Sequence, residues 1–292
     1  MKIDRIETIR LLQKIDRPRG PSPCYYPERE VLLVKITTDD GLVGWGETAD
    51  VAGARSVIER DLAPRLIGEN PLDTRRLWHV LWGANFGHNF AVSGLDVALH
   101  DLRGKALNLS IGQLFGGAFR ARVPAYAAGI HYEEGVAPET NWVAEAEQLV
   151  EKGWRAIKIR IGKYPPTREI PLLEKVRAVV PDDVLLLADA NAAYTLPTAI
   201  RVGRALEHLG FGWFEEPIPQ ADYAAYETLA AQLDIAIAAG EALPSRTAFH
   251  EFLRRRAADI IQPDVYICGG IAEWLFISEL ARLARVPCLP HC

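Results

Sequence analysis

Five ionisable residues follow short apolar runs at nearly even intervals in the second half of the chain. Successive members are 26, 26, 23 and 27 residues apart, and the set is Asp189, Glu215, Glu241, Asp264 and His291. Each interval matches the length of one strand–helix unit. In a parallel barrel the carboxyl ends of the strands meet at one mouth, so this spacing brings the five groups together.

The apolar runs themselves alternate with amphipathic segments. In the segment 140–152, for example, Trp142, Ala146 and Leu149 fall on one helical face. Repeated strand–helix units with short connections predict an α/β fold built as a (β/α) barrel. The seven predicted strands are 123–128, 155–161, 184–190, 211–215, 235–240, 258–262 and 286–289.

The predicted barrel domain, residues 121–292, is shorter than the roughly 250 residues of a complete eight-unit barrel. No eighth strand–helix unit follows the run at 286–289. We therefore expect a barrel that is truncated after its seventh strand.

Residues 1–120 have a different pattern, which predicts an α+β capping domain. Strands at 3–11, 30–37 and 42–47 predict a three-stranded antiparallel sheet, and the residues from 52 to 117 read as helical. Between the first two strands, the segment 17–23 is rich in proline and glycine and predicts a mobile loop.

Composition excludes several classes of protein. The chain has 49% apolar residues, 24% charged residues and a net charge of −5, so nucleic acid and anionic membranes are not expected partners. It shows no signal peptide and no run of about 20 apolar residues. A cytoplasmic protein with reduced thiols is expected, the cysteines being Cys24, Cys268, Cys288 and Cys292.

The three carboxylates Asp189, Glu215 and Glu241 predict a metal site. A single acidic residue after a strand is more often a helix cap or a solvated loop residue. Three acids in successive units are harder to explain in that way, because they would repel each other at one mouth unless a cation joined them. Oxygen ligands favour a hard ion, Mg²⁺ ahead of Mn²⁺.

Two cations are expected at the same mouth. Lys158 and Arg160 lie two residues apart on a predicted strand, so their side chains share one face, while the intervening isoleucines occupy the other. A buried cation needs a partner, and the carboxylate cluster would supply one.

Longer motifs resemble the mandelate racemase/muconate lactonizing branch of the enolase superfamily. Asp189-Ala-Asn191 and Glu215-Glu216-Pro217 resemble its strand-end motifs. The stretch from Ala91 to Lys105, continuing to Gly117, resembles the helix signature before its barrel. We expect the residues of that signature to pack the domains together and not to act in catalysis.

The resemblance implies roles for individual residues. Asp189, Glu215 and Glu241 match the family's ligands for one Mg²⁺ per subunit. Asp264 and His291 match the Asp–His dyad of the mandelate-racemase group, and no lysine ends strand six as in the muconate-lactonizing group. The family usually carries a second lysine on strand two, where this chain has Arg160.

These matches imply a Mg²⁺-dependent enzyme that removes the proton α to a carboxylate through an enediolate. His291 would be the base and Asp264 would orient it, with Lys158 neutralising charge. Arg160 is a poor base, which favours a one-base dehydration of an aldonate or aldarate to a 2-keto-3-deoxy acid. A racemase or epimerase, a cycloisomerase and a truncated member with impaired activity remain open alternatives.

The substrate is expected to be a small carboxylate. Residues 17–29, which include Tyr25 and Tyr26, resemble the family's capping loop, and Asn191 follows the first metal ligand. We expect these three residues to contact the substrate. The resemblance also implies a homo-oligomer, either a dimer or an octamer.

Overall fold

The computed structural model describes residues 1–84 and 88–291 of the chain. The amino-terminal part contains a four-stranded antiparallel sheet with the order β3-β2-β1-β4, one strand more than predicted. Its strands are β1 (Ile3–Gly20), β2 (Tyr26–Thr38), β3 (Val43–Thr48) and β4 (Tyr132–Glu133). The extra strand comes from beyond residue 120, so the sheet ties the two parts of the chain together.

The prediction of a loop over 17–23 was wrong for its first half. β1 continues through Pro18 to Gly20, and Arg19 pairs with both Tyr26 and Glu133. A register shift between Lys14 and Arg19 accommodates the proline, which cannot donate to a regular ladder. The connecting loop is therefore only residues 21–25.

Helices cover one face of this sheet, and α3 packs closest to it. The contact depends on glycine, because a Cβ at Gly46 would lie 2.1 Å from the Gly94 carbonyl oxygen. A short helical stretch over 51–65 contains α1 (Ala54–Val57) and precedes the other helices. These are α2 (Thr74–Ala84), α3 (Asn89–Leu107) and α4 (Ile111–Leu114).

The second part is an α/β unit with a five-stranded parallel sheet in the order β5-β6-β7-β8-β9. Its strands are β5 (Ala156–Arg160), β6 (Leu185–Asp189), β7 (Trp213–Glu215), β8 (Ala236–Ala239) and β9 (Ile260–Ile261). The helices are α5 (Pro138–Glu151), α6 (Pro166–Val179), α7 (Leu196–His208), α8 (Tyr223–Gln232), α9 (Arg246–Arg254), α10 (Val265–Cys268) and α11 (Ile271–Ala284).

The first and last predicted strands of this unit are reduced to bridges. Ala127 bridges Ile157 at one edge, and Cys288 bridges Ile261 at the other. Prolines explain the loss, since Pro124, Pro287 and Pro290 lack the N–H group that a ladder needs. The parallel order of the predicted strands is confirmed from β5 to β9, and closure of the barrel stays a prediction.

The helix signature lies at the contact between the two parts, as expected. Asp96 in α3 is fully buried, and its Oδ2 accepts hydrogen bonds from the backbone N–H groups of Ile271 (2.7 Å) and Ala272 (3.4 Å). These N–H groups open α11 and have no partner within that helix. Trp78 adds a second link by donating its indole N–H to the Gly269 carbonyl at 2.7 Å.

Some predictions concern residues that the structure does not describe. Residues 85–87, inside the segment predicted as helical, and Cys292 lie outside the described ranges. Cys24, Cys268 and Cys288 are free thiols. No helix within the described ranges combines the length and the apolar character that crossing a membrane requires.

Asp96→Ala removes the buried acceptor for two partly buried backbone donors. We expect the free energy of unfolding to fall by about 1–3 kcal/mol, the cost of leaving such groups unsatisfied. Chemical denaturation followed by circular dichroism measures the change. Asp16→Ala, at an exposed position, is the control and should stay within about 0.5 kcal/mol of the wild type. Equal stability of the two variants would contradict the interdomain role of Asp96.

Candidate active site

The carboxyl ends of the parallel strands bring the predicted residues together. Arg160 pairs with Asp189 in the β5–β6 register, and Asp189 pairs with Glu215 in the β6–β7 register. Glu241 follows β8 by two residues, and a parallel bridge joins Asp264 to His291. The side chains therefore meet at one end of the sheet, where parallel α/β proteins bind their ligands.

Lys158 lies at the centre of this cluster. Its side chain is 3% exposed, and its Nζ lies 2.7 Å from Glu215 Oε1 and 3.1 Å from Asp189 Oδ2. Burial disfavours the ammonium, but the charges of Glu215 and Asp189 outweigh burial and raise the Lys158 pKa. The isoleucines on either side of Lys158 point into the core, as the strand period predicts.

Arg160 is held on the same face of β5. Its guanidinium forms an ion pair with Asp189 and donates a hydrogen bond to Asn191 Oδ1 at 3.0 Å. Burial opposes ionisation of Asp189, yet Lys158 and Arg160 keep the Asp189 pKa below its usual range. Arg160 is thus a fixed charge in the site, not a group that exchanges protons.

The environment of the remaining carboxylates favours ionisation less than that of Asp189. Burial and the neighbouring Asp189 raise the Glu215 pKa to about 7. Burial and Glu241 raise the Glu216 pKa to about 9, and burial also raises the pKa of Glu241. The carboxylates outnumber the two cations that neutralise them.

The structure brings Asp264 and His291 into contact. His291 Nδ1 lies 2.7 Å from Asp264 Oδ2, while Asp264 Oδ1 accepts a hydrogen bond from the Tyr266 backbone N–H at 2.6 Å. Burial works against a charged imidazole, but the Asp264 hydrogen bond and the Glu241 charge outweigh burial and raise the His291 pKa. The other ring nitrogen, Nε2, lies 3.1 Å from Glu241 Oε2.

The donor set fits a hard divalent cation. Glu241 Oε2 and Glu216 Oε1 are buried and accept no hydrogen bond from the described residues. One ligand atom from each of Glu215, Glu241 and His291 lies within 4.8 Å of the others. This group contains His291 where the predicted set has Asp189, which is paired with Lys158 and Arg160. A cation shared by the carboxylates would relieve their mutual repulsion.

Three residues of the site were not predicted. Trp213 donates its indole N–H to Glu215 Oε2 at 3.0 Å, and the Tyr126 ring lies 5.5 Å from Lys158 Nζ. Glu216 is buried beside Glu215, with a backbone φ of 36°. The strand period places Trp213 on the face of Glu215, which was a usable signal. Nothing in the sequence indicated the position of Tyr126.

The short loop 21–25 reaches the mouth of the site. Ser22 Oγ donates a hydrogen bond to the Ala190 carbonyl at 2.9 Å, beside Asn191. Tyr25 is half-buried, and Lys163 Nζ lies 4.1 Å from the centre of its ring. Tyr26 begins β2, where it is largely exposed and pairs with Arg19. The structure thus places Tyr25 in contact with the parallel α/β unit and Tyr26 on the antiparallel sheet.

Two family descriptions match this chain. The description "mandelate racemase / muconate lactonizing enzyme, N-terminal domain" matches residues 7–116. The description "enolase C-terminal domain-like" matches residues 141–292. Together they account for both the antiparallel sheet with its helices and the parallel α/β unit.

Similar proteins include a D-galactarolactone cycloisomerase from Agrobacterium fabrum, which is 34% identical over 100% of this chain and 78% of its own length. An arabinonate dehydratase from Saccharolobus solfataricus is 38% identical over 90% of this chain and 72% of its own length. The crystal structure of a Bacillus cereus N-succinyl Arg/Lys racemase superposes with a TM-score of 0.91 at 26% identity, covering 99% of this chain and 79% of that one.

Proposed function

Because the chain belongs to the mandelate racemase/muconate lactonizing enzyme family of the enolase superfamily, we propose that it dehydrates a sugar acid. The substrate would be an aldonate or aldarate, and the product a 2-keto-3-deoxy acid. The arabinonate dehydratase and D-galactonate dehydratases among its relatives support this substrate class.

The observation that carries the proposal is the asymmetry of the bases. His291, oriented by Asp264, can accept a proton, whereas Arg160 is bound by Asp189 and Asn191 and stays protonated. Racemisation needs a proton acceptor on each face of the substrate. Dehydration needs one base, which His291 would supply, and a leaving hydroxyl, which the substrate would carry.

His291 would remove the α-proton through Nε2, since Nδ1 is engaged by Asp264. Electrons from the C–H bond then form the enediolate, whose charge the Lys158 ammonium would offset. As the double bond between the α- and β-carbons forms, the β-hydroxyl leaves with the proton that His291 accepted. The water and the enol that result contain every atom of the substrate, and the enol ketonises to the 2-keto acid.

Mg²⁺ is the proposed cofactor, with Mn²⁺ as a substitute, and Asp189, Glu215 and Glu241 would hold it. Bound there, the ion would polarise the substrate carboxylate and lower the pKa of the α-proton. The buried Glu241 Oε2, which accepts no hydrogen bond within the described ranges and faces His291 Nε2 at 3.1 Å, supports this assignment. The proposed substrate contacts are Asn191 and Tyr25, with Tyr26 at the edge of the loop.

A cycloisomerase reaction is the second candidate. It is favoured by the D-galactarolactone cycloisomerase, which aligns with the whole chain. That reaction also begins with one α-proton transfer, and it differs from dehydration in the group that is expelled.

We expect a 2-keto acid from at least one member of a panel of aldonates and aldarates with added Mg²⁺, detected by a semicarbazide assay. His291→Asn should lower the rate about 10²–10⁴-fold, because it removes the base. His250→Asn, at an exposed histidine outside the strand-end cluster, is the control. A 2-keto acid formed from a sugar-acid lactone, but from none of the free aldonates or aldarates, would favour the cycloisomerase. Full activity in His291→Asn would contradict both.

The role of Arg160 is tested by supplying a second base. In Arg160→Lys, a lysine can lose its proton and accept the α-proton on the face opposite His291. The double variant Arg160→Lys/His291→Asn should therefore exchange the substrate α-proton for deuterium in D₂O, measured by proton NMR. His291→Asn with Arg160 intact should not exchange it. Equal exchange in the two variants would contradict the one-base account.

A further inference from the structure

Glu169, in the first turn of α6, is a buried carboxylate that the proposed reaction does not use. Its Oε1 accepts hydrogen bonds from the Tyr164 backbone N–H at 2.9 Å and from the Tyr132 hydroxyl. Its Oε2 accepts hydrogen bonds from the Gly162 backbone N–H at 2.9 Å and from the Tyr194 hydroxyl at 3.1 Å. All four donors are uncharged, so hydrogen bonds offset the cost of removing this carboxylate from water.

The two tyrosines stay protonated and act as donors. Burial, followed by the charge of Glu169, raises the pKa of both Tyr132 and Tyr194. The Tyr132 hydroxyl also accepts a hydrogen bond from the Lys163 backbone N–H at 3.1 Å. Three consecutive backbone N–H groups, those of residues 162–164, are therefore bound within one buried network centred on Glu169.

This network joins the loops that follow two strands of the site. One is the loop 161–165, between β5 and α6, and the other is the loop 190–195, between β6 and α7, which contributes Tyr194. The loops pack closely, because a Cβ at Gly162 would lie 2.6 Å from Ala193 Cβ. The network thus fixes both loops at the ends of strands that carry proposed catalytic and metal-binding residues.

The first of these loops is also the surface on which the loop 21–25 rests. Lys163 Nζ lies 4.1 Å from the centre of the Tyr25 ring, and a Cβ at Gly162 would lie 3.5 Å from Ser22 Cβ. A cation over an aromatic face is attracted by the electrons of the ring. Because its backbone N–H is bound in the network, Lys163 holds the Tyr25 ring from a fixed position.

We propose that Glu169 is a positioning residue for substrate binding. It holds the loop 161–165 so that Lys163 keeps Tyr25, and with it the loop 21–25, at the mouth of the site. This inference rests on the proposed function, in which Tyr25 contacts the sugar acid. Since Glu169 acts through Lys163, its loss should affect the binding of substrate more than the chemical step.

Limited proteolysis of the whole chain with chymotrypsin tests the position of the loop without any substrate, because this protease cleaves after tyrosine. Glu169→Gln replaces one acceptor oxygen with an amide nitrogen, which cannot accept the hydrogen bonds that fix the loop 161–165. We expect cleavage after Tyr25, located by mass spectrometry, to be about three- to tenfold faster in Glu169→Gln than in the wild type. Lys163→Met retains the network but lacks the cation, and it should have a similar effect.

The double variant Glu169→Gln/Lys163→Met tests whether the two residues act on the same contact. If they do, cleavage after Tyr25 should be no faster than in the faster single variant. Glu174→Gln and Lys175→Met, at exposed positions of α6, are the matched controls and should be cleaved at the wild-type rate.

Kinetics with a sugar acid that turns over separate positioning from a loss of stability. Glu169→Gln should raise KM and leave kcat nearly unchanged, because the loop contributes to binding. A protein that was only less stable would lose active molecules, and its apparent kcat would fall instead.

Cleavage after Tyr25 at the wild-type rate in both Glu169→Gln and Lys163→Met would overturn the proposal, and so would a lower kcat at unchanged KM. If Glu169→Gln does not fold, Lys163→Met decides, because it leaves the buried network intact. If no sugar acid turns over, the proposed function fails, while the cleavage rates still decide whether Glu169 positions the loop.

Discussion

The shared ion pair of Lys158 with Asp189 and Glu215 is the interaction on which the site depends. Both carboxylates are fully buried, and neither could remain ionised there without a cation. Lys158 comes from β5, while its partners end β6 and β7, so one ammonium joins three strands at their carboxyl ends. Arg160 extends the network to Asn191, and together with Lys158 it keeps the Asp189 pKa below its usual range despite burial.

Lys158 and Arg160 do not neutralise all of the buried carboxylates in the cluster, and this leaves the site suited to a divalent cation. Glu215, Glu216 and Glu241 all have raised pKa values, and burial is the first cause in each case. A divalent cation would lower the cost of holding these carboxylates together. His291 lies at the other side of the cluster, with its second ring nitrogen, Nε2, 3.1 Å from Glu241 Oε2. The proposed metal site and the proposed base are therefore adjacent.

Much of this arrangement follows from sequence periodicity, and the exceptions have physical reasons. The two-residue period of a strand placed Lys158 and Arg160 on one face. The interval of one strand–helix unit between successive acids placed them at the strand ends. Tyr126 could not be placed, since its position depends on how a bridge to β5 sets the register. The extension of β1 past Pro18 was missed because a bulge absorbs the proline, and local composition carries no sign of a bulge.

The central claim is that carboxylates hold the metal while His291 stays free to act as a base. Electron spin echo envelope modulation of the Mn²⁺-loaded protein tests it most directly, because a directly coordinated imidazole nitrogen gives a resolved coupling. The account predicts no nitrogen coupling in the wild type and an unchanged spectrum in His291→Asn. A nitrogen coupling that His291→Asn abolishes would mean that the ion is bound by Glu215, Glu241 and His291, and a ligated imidazole could not accept the α-proton.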